Sequence, residues 1–326
     1  MKIGIVISGG DVSGINNFIF QIANLTQAEI VLFDGGIPGL LANRHRPMTQ
    51  RDLIDYAISA IPLLSSGRTS RKLYASEYEG ISKQLKALRI DVIIMAGGDG
   101  SLQFLNTLSE FDVNCFGIGM TIDNDVFGSS YTVGFSTACE QILKEVAKLR
   151  NTGRALPGRV FMLELLGGYC GELTLQSAIK SNADFALIPE CQYNLPELAE
   201  RIKHKLTSQN SVIILCSEGY TKEYSPGFQG AIDTMIKQLE PHIGVRIRKT
   251  IVGYGLRNGD PTGEEIYQGT LMANEVARCI QSGMKNKAIV INAGNQAIPI
   301  DLISMKKRLV DTEGHHYKVA KQLNII

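Results

Sequence analysis

The stretch Gly97-Gly98-Asp99-Gly100-Ser101 follows the apolar run 91–95 and precedes helix-forming residues from Leu102 onward. A strand, a glycine turn and a helix N-terminus present unpaired backbone N–H groups to an anion. Glycine lets a phosphate approach the backbone with no Cβ in the way. Asp99 alone would repel a phosphate; with Mg²⁺ between them, repulsion becomes coordination. The plainer reading is a glycine turn with Asp99 as the helix cap. A second stretch, Ser8-Gly9-Gly10-Asp11 with Gly14, follows the run 3–8 and has the same anion-cradle logic. It has neither the GxGxxG spacing nor the lysine of a P-loop, and an ordinary βα turn is its plainer reading.

The third stretch is Thr121-Ile122-Asp123-Asn124-Asp125, behind the run 114–118. Two carboxylates two residues apart face roughly the same way in an extended or turn segment. A carboxylate near a cation can act as a base and as a partner of the metal, although a surface loop also tolerates Asp and Asn. The second half of the chain adds Arg159, Arg248 and Arg257, each at the edge of an expected strand or glycine loop, and Glu218 at the end of another strand. Arginine matches phosphate bidentately and keeps its charge, and Glu218 could accept a sugar hydroxyl. Taken singly, each of these charges also fits a solvated surface.

The elements that must position these residues follow from the hydrophobic pattern. Short apolar runs at 3–8, 30–33, 91–95, 114–118, 160–165, 185–188, 211–216, 248–252 and 288–291 alternate with helical stretches at 15–25, 76–88, 137–150, 172–181, 227–239 and 264–281. Thr49 can cap a helix carrying Leu53, Ile54, Ala57 and Ile58, and Asn194 can cap one carrying Leu198, Ile202 and Leu206. Nearly unbroken apolar strands suit parallel sheets buried on both faces, and βα alternation throughout argues an α/β protein. In that class the strand C-termini carry the ligand loops.

Composition bounds the reading. The 326 residues suggest two domains or one large one, and 33 Lys plus Arg against 32 Asp plus Glu exclude a globally basic nucleic-acid binder. None of the six cysteines forms a CxxC pair, and the five histidines are scattered, so reduced thiols and no His-based metal site are expected. No apolar run approaches the ~18 residues of a membrane span, and a cytoplasmic protein is expected.

Together these loops resemble the 6-phosphofructokinase family over essentially the whole chain, in order. Gly97–Ser101 is similar to its GGDGS, Thr121–Asp125 is identical to its TIDND, and Gly134-Phe135-Ser136-Thr137-Ala138 is similar to its GFDTA. Ala183-Asp184-Phe185, Ile188-Pro189-Glu190, Ser217-Glu218-Gly219 and 253–262 follow its later segments. The resemblance implies two similar doubly wound domains with mainly parallel sheets and an active-site cleft between them. The larger, nucleotide-binding domain would comprise 1–136 plus about 255–302, and the smaller, sugar-phosphate-binding domain 137–254 plus about 303–326. It implies Mg²⁺-dependent transfer from ATP to the 1-hydroxyl of fructose 6-phosphate, in glycolysis. Asp123 would be the base, Thr121 would contact the transferring phosphoryl, and Asp125 would help organise the metal held by Asp99. Gly10, Arg68, Gly98, Gly100 and Ser101 would line the ATP phosphates. Gly167, Glu218, Arg248, Tyr254 and Arg257 would hold fructose 6-phosphate, joined by Arg159 across a subunit interface. A homotetramer or dimer is implied, with no nucleic-acid or membrane partner.

The departures are local. Gly168 stands where the family carries an arginine facing the transferring phosphate, which implies a slower enzyme, a cation from elsewhere or an altered substrate. Met120 precedes Thr121 where ATP users carry Gly and pyrophosphate users Lys; Gly100 and the missing Lys favour ATP. Tyr254 replaces a His, and Phe20 replaces an effector-binding Arg, so allosteric control by the family's effectors is not expected. The alternatives are a pyrophosphate-dependent or other ketose-phosphate kinase of the same fold, or a non-catalytic sugar-phosphate-binding homologue.

Overall fold

Apolar runs of this kind can satisfy their backbone polar groups only by pairing with one another, and they do so in two sheets. A computed structural model describes residues 1–326 except 50, 53–55, 70, 221–230 and 305. Two units are distinguished: residues 1–137 with 257–308, and residues 138–256 with 309–326.

In the first unit, β1 (Lys2–Ser8), β2 (Glu29–Phe33), β4 (Val92–Gly97), β5 (Cys115–Gly119) and β10 (Lys287–Ile291) run parallel. Two antiparallel edge strands, β3 (His45–Pro47) and β11 (Ala297–Asp301), complete the order β11-β10-β5-β4-β1-β2-β3. The chain winds one way from β1 to β3 and the other way from β4 to β10. The strand order therefore reverses between β1 and β4, and the crevice outside their C-terminal ends is where a doubly wound sheet offers a ligand site. Helix α1 (Ile15–Thr26) buries Ile15, Phe18, Ile19 and Ile22, the i, i+3, i+4, i+7 stripe of an amphipathic helix. Asn17 ties it to α9 (Gly263–Gln281) by donating to the Ile266 carbonyl at 2.9 Å. Helices α2 (Gly36–Leu41), α3 (Ala75–Ala87) and α4 (Asp99–Ser109) also belong to this unit.

The second unit has a smaller, wholly parallel sheet of order β7-β8-β6-β9, from β6 (Arg159–Leu165), β7 (Phe185–Leu187), β8 (Ser211–Ser217) and β9 (Ile247–Ile251). Helix α5 (Phe135–Ala155) spans the change from one unit to the other. Helices α6 (Glu172–Ser181), α7 (Leu195–Leu206), α8 (Ala231–Ile243) and α10 (His315–Gln322) follow. Asn194 caps α7 as expected, its side chain accepting from the Glu197 N–H at 3.3 Å. A core of Val160, Met162, Leu187, Ile202, Ile214 and Met235 lies beneath β6–β9.

The α/β class with mainly parallel sheets holds, with differences of detail. The sheets are unequal, at seven and four strands. The strand expected at 91–95 continues through Gly97, which pairs with Ser8 and Gly119, because glycine here still fits the ladder. The short elements α2, β3, β11 and α10 carry too few periodic residues to be read from pattern. The Thr49 hydroxyl accepts from the Asp52 N–H at 3.3 Å, as a cap would; Leu53 and Ile54 of that expected helix, and residues 227–230 of the one expected at 227–239, lie outside the described residues. All six cysteines are free, and all but the half-buried Cys191 are buried. Among the described residues no helix is long and apolar enough to cross a membrane.

Candidate active site

The two glycine stretches meet at the strand-order reversal. Ser8 ends β1 and Gly97 ends β4, its register partner. The Ser101 hydroxyl donates to the Ser8 hydroxyl at 2.9 Å and the Ser8 carbonyl at 3.2 Å, fastening the first turn of α4 to the end of β1. Gly98 is the N-cap of α4, with no side-chain cap bond, and Asp99 is the first helical residue; the cap reading of Asp99 does not hold. The N–H groups of such a first turn have no partner within the helix.

The glycines here are of two kinds. A Cβ on Gly97 would lie 2.5 Å from the Ser8 carbonyl oxygen and 2.5 Å from the Ser101 Cβ, so packing demands glycine. A Cβ on Gly98 or Gly100 would meet nothing within 4 Å, and neither residue has positive φ. Nothing in the protein requires glycine at these two positions; an approaching ligand would.

The Thr121–Asp125 loop is braced from both sides. Met120 donates to the Gly97 carbonyl at 2.9 Å and Thr121 to the Val133 carbonyl at 3.0 Å. The Asp123 N–H donates to the Thr121 hydroxyl at 3.2 Å. Asn124, fully buried with φ of 50°, donates to the Ser130 carbonyl at 3.0 Å and turns the chain between the two carboxylates. Asp125 is 3% exposed, and burial pushes its carboxyl upward while the Lys307 ammonium, 3.3 Å away, opposes that push. Behind the loop, Glu265 is fully buried and receives the Gly134 N–H at 2.5 Å and the Ser136 and Thr137 hydroxyls at 3.1 Å each. Burial raises its carboxyl to about 7 in spite of these donors and Tyr131.

Arg68 is delivered by a loop packed against the end of β2. Asp34 accepts from the Ser65 N–H at 2.9 Å and its hydroxyl at 2.8 Å, which holds the Asp34 carboxyl below its usual range. Gly67 passes so close to Gly35 and Gly36 that a Cβ on either Gly36 or Gly67 would strike backbone. Arg257 Nη1 lies 3.6 Å from Asp11 Oδ1 and against Gly10, where a Cβ would strike its guanidinium.

These loops surround a cavity of about 670 Å³ that takes in Gly10, Arg68, Gly98, Asp99, Gly100, Ser101, Thr121, Asp123, Asp125 and Arg257. At one end it is lined by Tyr78 and Phe104, stacked with ring centres 5.3 Å apart. Arg71, Lys72 and Lys307 also line it; Arg71 is paired with Glu77 and holds that carboxyl down to about 2. The sequence reading missed Tyr78, Phe104, Arg71, Lys72 and Lys307. Arg71 and Lys72 follow Arg68 closely enough for the charge run to have marked them; Lys307 sits in the basic run Lys306-Lys307-Arg308, but nothing in that run links it to the distant cavity loops. Asn16, just past the first glycine stretch, braces structure: it donates to the Ser59 and Ile61 carbonyls at 3.1 and 2.8 Å and accepts from the Leu63 N–H at 3.1 Å.

In the second unit, Gly167 (φ 145°) and Gly168 (φ 57°) follow β6, and the Gly168 N–H donates to Glu218, just past β8, at 2.9 Å. Gly219 packs directly on the Gly168 carbonyl, where no Cβ would fit. Arg159 begins β6, opposite Ser211, and Arg248 pairs with Phe161 near the start of β9. At roughly 3.3 Å per residue, Arg159 stands about 20 Å from the other end of its strand. Arg159 and Arg248 therefore share one end of this sheet, while Gly167 and Glu218 share the opposite end. Tyr254 follows β9 in a 3₁₀ turn and is 77% exposed. The unit does not gather the expected sugar-phosphate residues in one place.

The phosphofructokinase family model matches residues 2–280. An ATP-dependent 6-phosphofructokinase of Teredinibacter turnerae is 29% identical over 306 residues, covering 93% of this chain and 92% of its own. A probable ATP-dependent 6-phosphofructokinase of Mycoplasma pneumoniae is 32% identical over 305 residues, covering 92% and 90%. A pyrophosphate–fructose 6-phosphate 1-phosphotransferase of Dictyoglomus thermophilum is 25% identical over 340 residues, covering 98% of each. Among solved structures, a pyrophosphate-dependent phosphofructokinase of Marinobacter aquaeolei superposes with a TM-score of 0.83 at 15% identity, covering 99% of this chain and 90% of that one. Phosphofructokinase of Saccharomyces cerevisiae gives 0.81 at 21% identity over 99% of this chain, which spans only 46% of the yeast chain. At these identities the likeness to solved structures establishes the fold alone. The family match over residues 2–280 goes further: this chain belongs to the phosphofructokinase family.

Proposed function

We propose that this chain transfers the terminal phosphoryl of ATP to the 1-hydroxyl of fructose 6-phosphate, giving fructose 1,6-bisphosphate and ADP. The observation that carries the reading is the open space beside Gly98 and Gly100 in a cavity that also holds Asp99, Thr121, Asp123, Asp125 and Arg68. The first unit would bind the nucleotide and the second the sugar phosphate.

The reaction needs positioning and charge neutralisation more than covalent help from the protein. Gly98, Gly100 and the first turn of α4 would receive the donor phosphates, with Gly10, Ser101 and Arg68 around them. Asp123 would accept the proton of the attacking hydroxyl, and Thr121 would contact the phosphoryl in transit. Among the described residues no three His, Cys, Asp or Glu side chains converge as a metal cage. Mg²⁺ commonly binds through one or two carboxylates together with substrate phosphates and water, and the Asp99–Asp125 pair fits that donor set. Asp99 would hold the ion, which would neutralise phosphate charge.

ATP is favoured over pyrophosphate by Gly100 and by Met120, which stands before Thr121 where pyrophosphate users carry a lysine. Arg159 and Arg248, remote from Glu218 on their own sheet, support a site completed by a second copy of the chain, and hence a homo-oligomer. The reaction class fits a cytoplasmic site of action. A matrix of ATP and pyrophosphate against fructose 6-phosphate and longer ketose phosphates tests this. ATP with fructose 6-phosphate should give the highest kcat/KM, and no turnover with any pair would refute the assignment.

A further inference from the structure

Residues 306–308 run antiparallel beside the Thr121–Asp125 loop. Phe127 donates its N–H to the Lys306 carbonyl at 2.9 Å, Arg308 donates its own to the Asp125 carbonyl at 2.8 Å, and Val126 and Lys307 form the bridge between them. Arg308 Nε also donates to the Asn124 carbonyl at 2.9 Å, and Lys306 Nζ lies 4.4 Å from the centre of the Phe127 ring. Both neighbours of Lys307 are thus tied to the loop that carries Asp123 and Asp125. Lys307 itself lines the cavity with Asp99, Thr121 and Asp123, its Nζ 3.3 Å from Asp125 Oδ2.

We propose that Lys307, held by this backbone strap, supplies a fixed cation to the phosphoryl-transfer site. The inference rests on reading the cavity as the donor site. An ammonium carries three donors; with one directed to Asp125, the others can serve donor phosphate oxygens. Lysine meets phosphate as a point charge, which needs no bidentate geometry. A purely structural pair with the buried Asp125 would contribute to stability and nothing to turnover, so the two roles separate by experiment.

The test uses the full-length protein with K307M and K307R. ATP binding is titrated calorimetrically in EDTA, without metal, and steady-state kinetics are measured with MgATP. K307M should bind metal-free ATP about 10-fold more weakly, the worth of one charge-assisted hydrogen bond. Its kcat should fall about 10²-fold, the lower end of the range for losing one electrostatic stabiliser. The KM for fructose 6-phosphate should stay within about twofold, whereas Tm should fall, because the buried Asp125 loses its cationic partner. K307R should keep most of both properties. K307Q repeats both measurements with a polar side chain. An active wild type with K307M and K307Q matching it in kcat and metal-free ATP affinity would overturn the role of Lys307. A wild type inactive with every donor would instead refute the underlying reading of the cavity.

Discussion

The seven-stranded unit gathers its candidate chemistry at one place, and the four-stranded unit divides it. In the first, Gly98–Ser101, Thr121, Asp123, Asp125 and Arg68 come from two strand ends and a docked loop yet line a single cavity. In the second, Arg159 and Arg248 lie toward one end of the sheet and Gly167 and Glu218 at the other. Both units are parallel sheets with ligand loops in the expected places, so the difference is not one of fold class. On the proposed reading, the donor would be handled within the first unit, whereas the residues proposed for the acceptor are not brought together by the second.

The largest expected effect falls on the complete half. Asp123→Ser should lower kcat by about 10²–10⁴, the range for removing a general base, while calorimetry finds ATP affinity little changed. Undiminished turnover would remove Asp123 from its role.

The divided half makes a different prediction. Arg159→Ala should raise the KM for fructose 6-phosphate by about 10²-fold, consistent with a lost charge-assisted contact to phosphate, and Glu218→Ala should act similarly. If copies share the site, mixing the two variants with subunit exchange should restore a fraction of sites with the wild-type KM. Mixtures no more active than their components would mean that each chain builds its acceptor site alone.

The glycines sharpen the same contrast on a smaller scale. Gly97→Ala should lose about 1–3 kcal/mol of stability through overpacking, read as a lower denaturant midpoint. Gly100→Ala should leave the midpoint unchanged or raise it, since alanine suits a helix, yet weaken ATP binding about 10-fold, as expected when a Cβ keeps a phosphate from its backbone donors. An unchanged ATP affinity in Gly100→Ala would return the glycine to a plain turn.

Glu265 makes a prediction about pH that does not touch the cavity. Its folded carboxyl titrates near 7 against an ordinary 4.5, so between those values the folded protein holds the extra proton. Stability from this group is therefore greatest below pH 4.5 and declines as pH rises through 7. Tm should fall by a few degrees from pH 5 to pH 7, a shift of about 2–3 kcal/mol at most. Glu265→Gln should flatten that slope, and an unchanged slope in the variant would assign it to other groups.

Much of the α/β class and the family was legible because the strands are near-continuous apolar runs and the motifs are contiguous: Gly97–Ser101 and Thr121–Asp125 each sit on one turn. What escaped depends on contacts distant in sequence. Lys307 reaches the cavity only because residue 307 bridges to Val126, and no local pattern announces that pairing. Tyr78 and Phe104 read as ordinary apolar helix positions; only the packing of α3 against α4 turns their rings toward the cavity. Arg159 and Arg248 were visible as charges near strand starts, but the end of the sheet they occupy relative to Glu218 follows from register, which spacing does not reveal.

The most direct test is a single-turnover reaction of the purified protein with Mg²⁺, γ-labelled ATP and fructose 6-phosphate, with the label located in the product. The account predicts label on the 1-phosphate of fructose 1,6-bisphosphate, formed in proportion to ADP. Label found only in inorganic phosphate or left in ATP, or transferred at a higher rate from labelled pyrophosphate, would contradict it.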